Sequence, residues 1–368
     1  MKILHCADIH LESQLRTHFD EEKAKERRNE ILTTFGRMAD YAKENGIGHI
    51  IIAGDLFDVK RISVAAANFV KRVIKDHQEI LFYYLKGNHD PELFREDEER
   101  PENLLIFGEE WTAYCLSKND RRSVMLYGRE MGDYDASLFE GFTAEAGDLN
   151  IVTLHGTVTD GRSDTKHGII GLNDVMNRFI DYLALGHIHA RKEGRIDFRG
   201  TYVYPGCLEG RGFDEFGEHG FYVLDINEET GEYTKEFVPF ASRVLHELTV
   251  DITDCADTAD ICARIREKLR SGDIGSGDCV RVVLKGEVDA DSEKNTDLIE
   301  KQFNGMYYYF AVKDDSGYKT DYTVFQYDKS LKGEYVRLVR DDCTMSPEEK
   351  AEVVRIGLRA LAGGEVWS

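Results

Sequence analysis

Asp8 and His10 stand two residues apart near the start of the chain, and His187 and His189 repeat that spacing far downstream. Between them lie Gly54-Asp55-Leu56-Phe57-Asp58, Gly87-Asn88-His89-Asp90 and His155-Gly156. Asp8, His10, Asp55, Asn88, His155, His187 and His189 are all oxygen or nitrogen donors that bind divalent cations. Two such cations about 3.5–4 Å apart clamp a phosphoryl group and generate a hydroxide nucleophile. The pattern therefore points to phosphate-ester hydrolysis.

Residues two apart on an extended backbone point the same way, so Asp8 and His10 can reach one cation, as can His187 and His189. Imidazole with carboxylate favours Mn, with Fe, Zn or Mg as the other candidates. Asp55 has two oxygens with which to bridge a metal pair, and Asn88 adds a neutral amide oxygen. His89 diverges from Asn88 and is the candidate general acid, because imidazole titrates near neutrality. A nearby metal pair disfavours its protonated form, and a carboxylate partner, Asp58 or Asp90, offsets that.

These groups need elements to hold them. Apolar, β-branched runs over 3–7, 49–53, 80–85, 150–154 and 182–185 read as buried strands. Ile31, Phe35, Met38 and Ala42 give one helical face over 28–43, and 64–74 is a second helix. Alternation of this kind predicts an α/β layered sandwich, central β sheets flanked by helices, over residues 1–240. Each donor motif follows a strand, where active groups of α/β sheets gather. The acidic stretch 91–102 reads as a loop beside that edge. After Pro239 the donor motifs stop. Strands at 245–252, 280–288 and 306–312 with helices at 258–269 and 296–303 predict a smaller α+β capping domain over 241–330. Helices at 331–339 and 347–361 make up a C-terminal segment, 331–368. Ser346, Pro347 and Glu349 form a helix start, and Gly363-Gly364 a stop.

Composition narrows the classes. The chain has 368 residues, 42% hydrophobic and 32% charged, with 47 Lys and Arg against 69 Asp and Glu, a net charge of −22. That acidity argues against broad attraction to nucleic acid or membrane. It does not exclude a nucleic-acid substrate, because bound cations invert the field at a carboxylate-rich site. Seven scattered cysteines without a C-x-x-C pair, and no long apolar N-terminal region, lead to the expectation of a cytoplasmic protein with reduced thiols and no membrane association. Lys60, Arg61, Arg191, Lys192 and Arg211 are basic residues near the motifs, ordinary surface charges unless a phosphate brings them into use.

The ordered set D-x-H, G-D-x-x-D, G-N-H-D, an isolated His and G-H-x-H resembles the calcineurin-like metallophosphoesterase superfamily. The resemblance spans Asp8 to His189. It implies that one metal takes Asp8, His10 and His189, that the other takes Asn88, His155 and His187, and that Asp55 bridges. It makes His89 the acid and Asp58 its orienting carboxylate. The segments 4–11 and 53–58, and Tyr204-Pro205-Gly206-Cys207-Leu208-Glu209-Gly210-Arg211-Gly212-Phe213 with Glu218-His219-Gly220, resemble the SbcD-type DNA repair exonuclease branch. That branch often carries serine where this chain has Cys207. Where archaeal and eukaryotic relatives carry a histidine, this chain has Asp58, which favours a His–Asp pair. The resemblance implies a DNA nuclease subunit working with an SMC-like coiled-coil ATPase, with a homodimer as a further expectation. The alternatives are a phosphomonoesterase or cyclic-nucleotide phosphodiesterase on the same metals, and a non-enzymatic ATPase anchor.

Overall fold

A computed structural model describes residues 1–15, 19–91, 100–132, 138–289, 292–319 and 325–361. Most of the loop expected at 91–102, and the Gly363-Gly364 stop, lie outside the described residues. The chain divides into two compact units, Met1–Val244 and Leu245–Ser368.

The first unit contains two six-stranded sheets. One runs in the order Tyr233–Pro239, Gly220–Ile226, Lys2–Cys6, His49–Ala53, Leu81–Leu85, Leu104–Ile106. The other runs Lys192–Arg195, Thr201–Tyr204, Tyr182–Gly186, Leu149–His155, Ser123–Gly128, Thr112–Lys118. The central strands of both are parallel, as continuous apolar runs require. Ile3, Ile51 and Tyr83 from the first sheet pack with Leu126, Ile151, Tyr182 and Val203 from the second, forming the core between them. Alternate residues face the other way: Val152, Leu154, Leu183 and Leu185 join Phe139 and Phe142 in a second core.

The helix Glu21–Glu44 buries the expected stripe, Ile31, Phe35, Met38 and Ala42. It begins a full two turns before the expected start at 28, because Asp20 caps it through the Lys23 amide and its first buried positions are Ala24 and Arg27. An arginine on a buried face gives no apolar signal. Tyr41 of this helix packs on the strand residue Phe221 with the rings tilted at 56° and their centroids 5.3 Å apart. The second helix, Val64–Asp76, is capped by Ser63.

In the second unit, Leu245–Asp251, Cys279–Lys285 and Tyr309–Asp314 form a parallel three-stranded sheet covered by the helices Thr258–Arg270 and Thr296–Phe303. The strand expected over 280–288 breaks at Gly286, whose φ of +98° starts a separate short strand. The helices Leu331–Asp341 and Pro347–Leu361 pack through Val336, Val339, Val354 and Leu358. Ser346 and Glu349 exchange the two bonds of a capping box.

Candidate metal centre

Five of the parallel strands each deliver a motif at the carboxyl end, and the two sheets meet there. Asp8 follows Lys2–Cys6, Asp55 follows His49–Ala53, and Asn88 follows Leu81–Leu85. His155 closes Leu149–His155, and His187 follows Tyr182–Gly186. The backbone turns sharply at these points. Asp8, His10, Asp55 and His187 all have positive φ, at 49°, 51°, 51° and 98°. L-residues avoid that region, and such strain collects at functional sites. Glycine is required beside the donors. A Cβ on Gly54 would lie 2.1 Å from His155 Nδ1, and one on Gly87 would lie 2.2 Å from Asp55 Oδ1.

Two donor groups result: Asp8 with His10 and His189, and Asp55 with His155 and His187. In the first, the Nε2 atoms of His10 and His189 approach to 3.1 Å. His189 Nδ1 lies 2.8 Å from both Glu215 Oε1 and Arg211 Nη2, and donation to the glutamate leaves its Nε2 lone pair facing His10. Asp8 accepts the His187 amide on both oxygens, at 2.9 and 3.0 Å. In the second group, His155 Nδ1 donates to the Ala53 carbonyl at 2.9 Å, which leaves Nε2 facing Asp55 Oδ2 at 3.2 Å and Asn88 Oδ1 at 3.0 Å. His187 Nδ1 reaches Asn88 Oδ1 at 3.1 Å. Asp55 Oδ2 also lies 3.8 Å from His10 Nε2, which puts this carboxylate between the groups. Imidazole nitrogens and carboxylate oxygens converging on one place are what divalent cations satisfy. The donor set fits a metal pair, and Asn88 fits the second group.

The charges fit as well. Burial lifts the Asp8 carboxyl to about 6, against the pull of His155 and His189. Burial, then the Arg211 guanidinium, holds His10 down at about 2. Burial opposes charge on His155, but its hydrogen bond to Asp55 and the nearby Asp8 raise it to about 9. Burial works against a charged His189 too, and the bond to Glu215 raises it above the usual imidazole range.

His89 stands at the rim with its side chain half exposed, and its Nδ1 is 3.1 Å from Asp58 Oδ1. The structure thus pairs His89 with Asp58. Asp90, the other candidate partner, is buried and accepts the amides of Leu56, Phe57 and Gly87 instead, tying two motif loops together. Asp55 Oδ1 accepts the His89 amide at 2.9 Å.

The residues that sequence reasoning missed lie in the 204–220 segment. Glu215 orients His189. Arg211, expected to be a surface charge or a phosphate contact, instead bonds Glu215 through its guanidinium and reaches Asp58 Oδ2 at 3.4 Å. The four-residue spacing of Arg211 and Glu215 was the available signal. This segment is anchored by a buried arginine: Arg27 Nη2 donates to Glu209 Oε2 at 3.1 Å and to the Gly210 carbonyl at 2.8 Å.

A family model for calcineurin-like phosphoesterases matches residues 1–191, which spans every donor. The chain belongs to the calcineurin-like phosphoesterase family. Members are metal-dependent hydrolases that use two divalent metals, and the two donor groups described above provide for both. The chain is 29% identical over 304 residues to the uncharacterized metallophosphoesterase YhaO of Bacillus subtilis (strain 168), covering 78% of this chain and 72% of that one. It is 24% identical over 223 residues to the DNA double-strand break repair protein Mre11 of Sulfolobus acidocaldarius, covering 54% of this chain and 52% of that protein. Among solved structures it overlays a dimetal phosphatase from Danio rerio at a TM-score of 0.41 and 11% identity, over 62% of this chain and 93% of the other. Among the described residues, no helix is long and apolar enough to cross a membrane.

Proposed function

We propose that this phosphoesterase is a Mn-dependent DNA nuclease of the SbcD type, hydrolysing phosphodiester bonds in DNA repair in the cytoplasm. The observation that carries the hydrolytic reading is the shared edge itself: two donor groups joined by Asp55, with the His89–Asp58 pair 3.1 Å apart beside them. Asp8, His10 and His189 would hold one metal, Asn88, His155 and His187 the other, and Asp55 both. A metal pair bound there supplies activation of water and neutralisation of phosphoryl charge. Asp58 accepts a hydrogen bond from His89 Nδ1 and fixes the ring, so that Nε2 carries the proton given to the leaving sugar oxygen. Glu215 and the Ala53 carbonyl fix the tautomers of His189 and His155 so that Nε2 is free as a ligand.

The choice of DNA rests on the 204–220 segment, on the similarity to the Mre11 repair protein, and on residues 241–330, which we assign the role of a cap guiding the strand. The C-terminal helices favour an SMC-like coiled-coil ATPase as partner, since Leu331 and Leu338 stay 67% and 70% exposed while the opposite face packs. The net charge of −22 favours a second reading, a phosphatase or phosphodiesterase for small esters. Cleavage of linear DNA and of small phosphate esters, each with Mn supplied, separates the two. DNA hydrolysis supports the nuclease, and activity confined to small esters overturns it. Co-purification with a coiled-coil ATPase tests the partner.

A further inference from the structure

Asp58 has more than one imidazole to choose from. Its Oδ1 lies 3.1 Å from His89 Nδ1 and 4.0 Å from His10 Nδ1. His10 Nδ1 is fully buried and has no hydrogen-bond partner among the described residues, so it would gain from a carboxylate turned toward it. A small rotation of the Asp58 side chain would exchange one histidine for the other. What opposes that rotation is the other carboxylate oxygen, Oδ2, which accepts from Arg211 Nη1 at 3.4 Å.

Arg211 is itself held from behind. Its Nε and Nη2 both reach Glu215 Oε1, at 3.2 and 2.6 Å, and its main-chain amide donates to Glu215 Oε2 at 2.7 Å. The planar fork therefore spans two carboxylates, and its Nη2 also lies 2.8 Å from His189 Nδ1, leaving the side chain only 17% exposed. A guanidinium committed in this way is poorly placed to seek out a substrate phosphate. It is well placed to fix the separation between the two carboxylates that steer the histidines.

We propose that Arg211 is a positioning residue: by pinning Asp58 Oδ2 it commits Oδ1 to His89, and so keeps the proton donor aimed at the leaving oxygen. The inference rests on the proposed acid role of His89. In the transfer, the Nε2 proton of His89 passes to the departing oxygen as the phosphorus–oxygen bond breaks. The imidazole becomes neutral and keeps its Nδ1–H bond to Asp58.

The test compares Arg211→Ala with the parent on two thymidine 5′-phosphodiesters, one losing p-nitrophenolate and one losing methanol. A stable leaving group needs no proton, so only the methyl ester depends on a well-aimed acid. The variant is expected to lower the methyl-to-nitrophenyl rate ratio by about 10- to 100-fold, a part of the roughly 10²- to 10⁴-fold that a general acid contributes. Asp58→Asn should lower the same ratio, and the double variant should fall no further than the lower of the single ones. Equal loss on both esters overturns the proposal, as does a rise in KM shared by both with kcat retained, which would mark a direct phosphate contact. A crystal structure of Arg211→Ala reads the claim without turnover. Asp58 Oδ1 turned from His89 to His10 supports it, and Asp58 still on His89 refutes it. If the parent cleaves neither ester, hydrolysis of linear DNA still decides the nuclease reading, and the variant's crystal structure still decides the role of Arg211.

Discussion

Behind the imidazole of His155 stands a main-chain carbonyl, that of Ala53, while behind His189 stands a side chain, Glu215. The two donor groups are thus built differently. The Asp55–His155–His187 group is oriented by the strand ends that carry it. The Asp8–His10–His189 group depends on a segment near residue 210, which Arg27 and Glu209 anchor to the first helix. The first design is set once the sheets form. The second adds a replaceable side chain, and with it a link through Arg211 to the His89–Asp58 pair. The lesson is that half of the site can be altered by substitution behind the ligands, and half cannot.

Asp55 is where the difference should vanish. Its carboxylate faces His155 at 3.2 Å and His10 at 3.8 Å, so Asp55→Ala should weaken both groups together. We expect hydrolysis to fall by about 10³-fold, the equivalent of several kcal/mol of lost charge stabilisation. Metal content by mass spectrometry should drop at both positions. Loss at one position alone would show that the carboxylate serves a single group.

His89→Gln leaves both groups in place and removes only the proton donor. Activity on alkyl diesters should fall by about 10²- to 10⁴-fold with metal content retained. Full activity would remove His89 from the reaction.

Glu215→Gln should separate the groups. Affinity of the first group for Mn should fall about 10- to 100-fold, the usual cost of losing the partner behind a ligand histidine, while the second group holds. Calorimetric titration checks this, and parallel weakening of both would erase the distinction.

Proton competition should separate them more gently. In the metal-free protein His155 keeps a proton up to about 9, so a cation entering the second group must displace it. Affinity there should rise by roughly tenfold per pH unit between about 7 and 9 and level off above. In the first group His10, held down at about 2, has no proton to lose over that range, and the competing proton is that of His189, raised by its bond to Glu215, so the dependence there should be weaker. A pH-independent second group would show that Asp55 does not hold His155 charged.

Much of this was legible in the sequence. The donor motifs carry polar residues of distinctive type directly after apolar strands, and strand periodicity places them on one edge. The His89–Asp58 pair was legible too, although Asp90 could be set aside only once its carboxylate was seen capping three amides. What stayed hidden was the supporting layer. Arg27 and Glu209 are fully buried charges whose pairing across 182 residues leaves no local pattern, and Glu215 sits in a loop without periodicity. Long-range polar contacts are set by how the sheets come together, which short-range spacing does not encode.

Anomalous scattering from crystals soaked in Mn would locate the metals. Two peaks are expected about 3.5–4 Å apart, one among Asp8, His10 and His189, the other among Asn88, His155 and His187, with Asp55 between them. A single peak, or peaks away from Asp55, would contradict that arrangement.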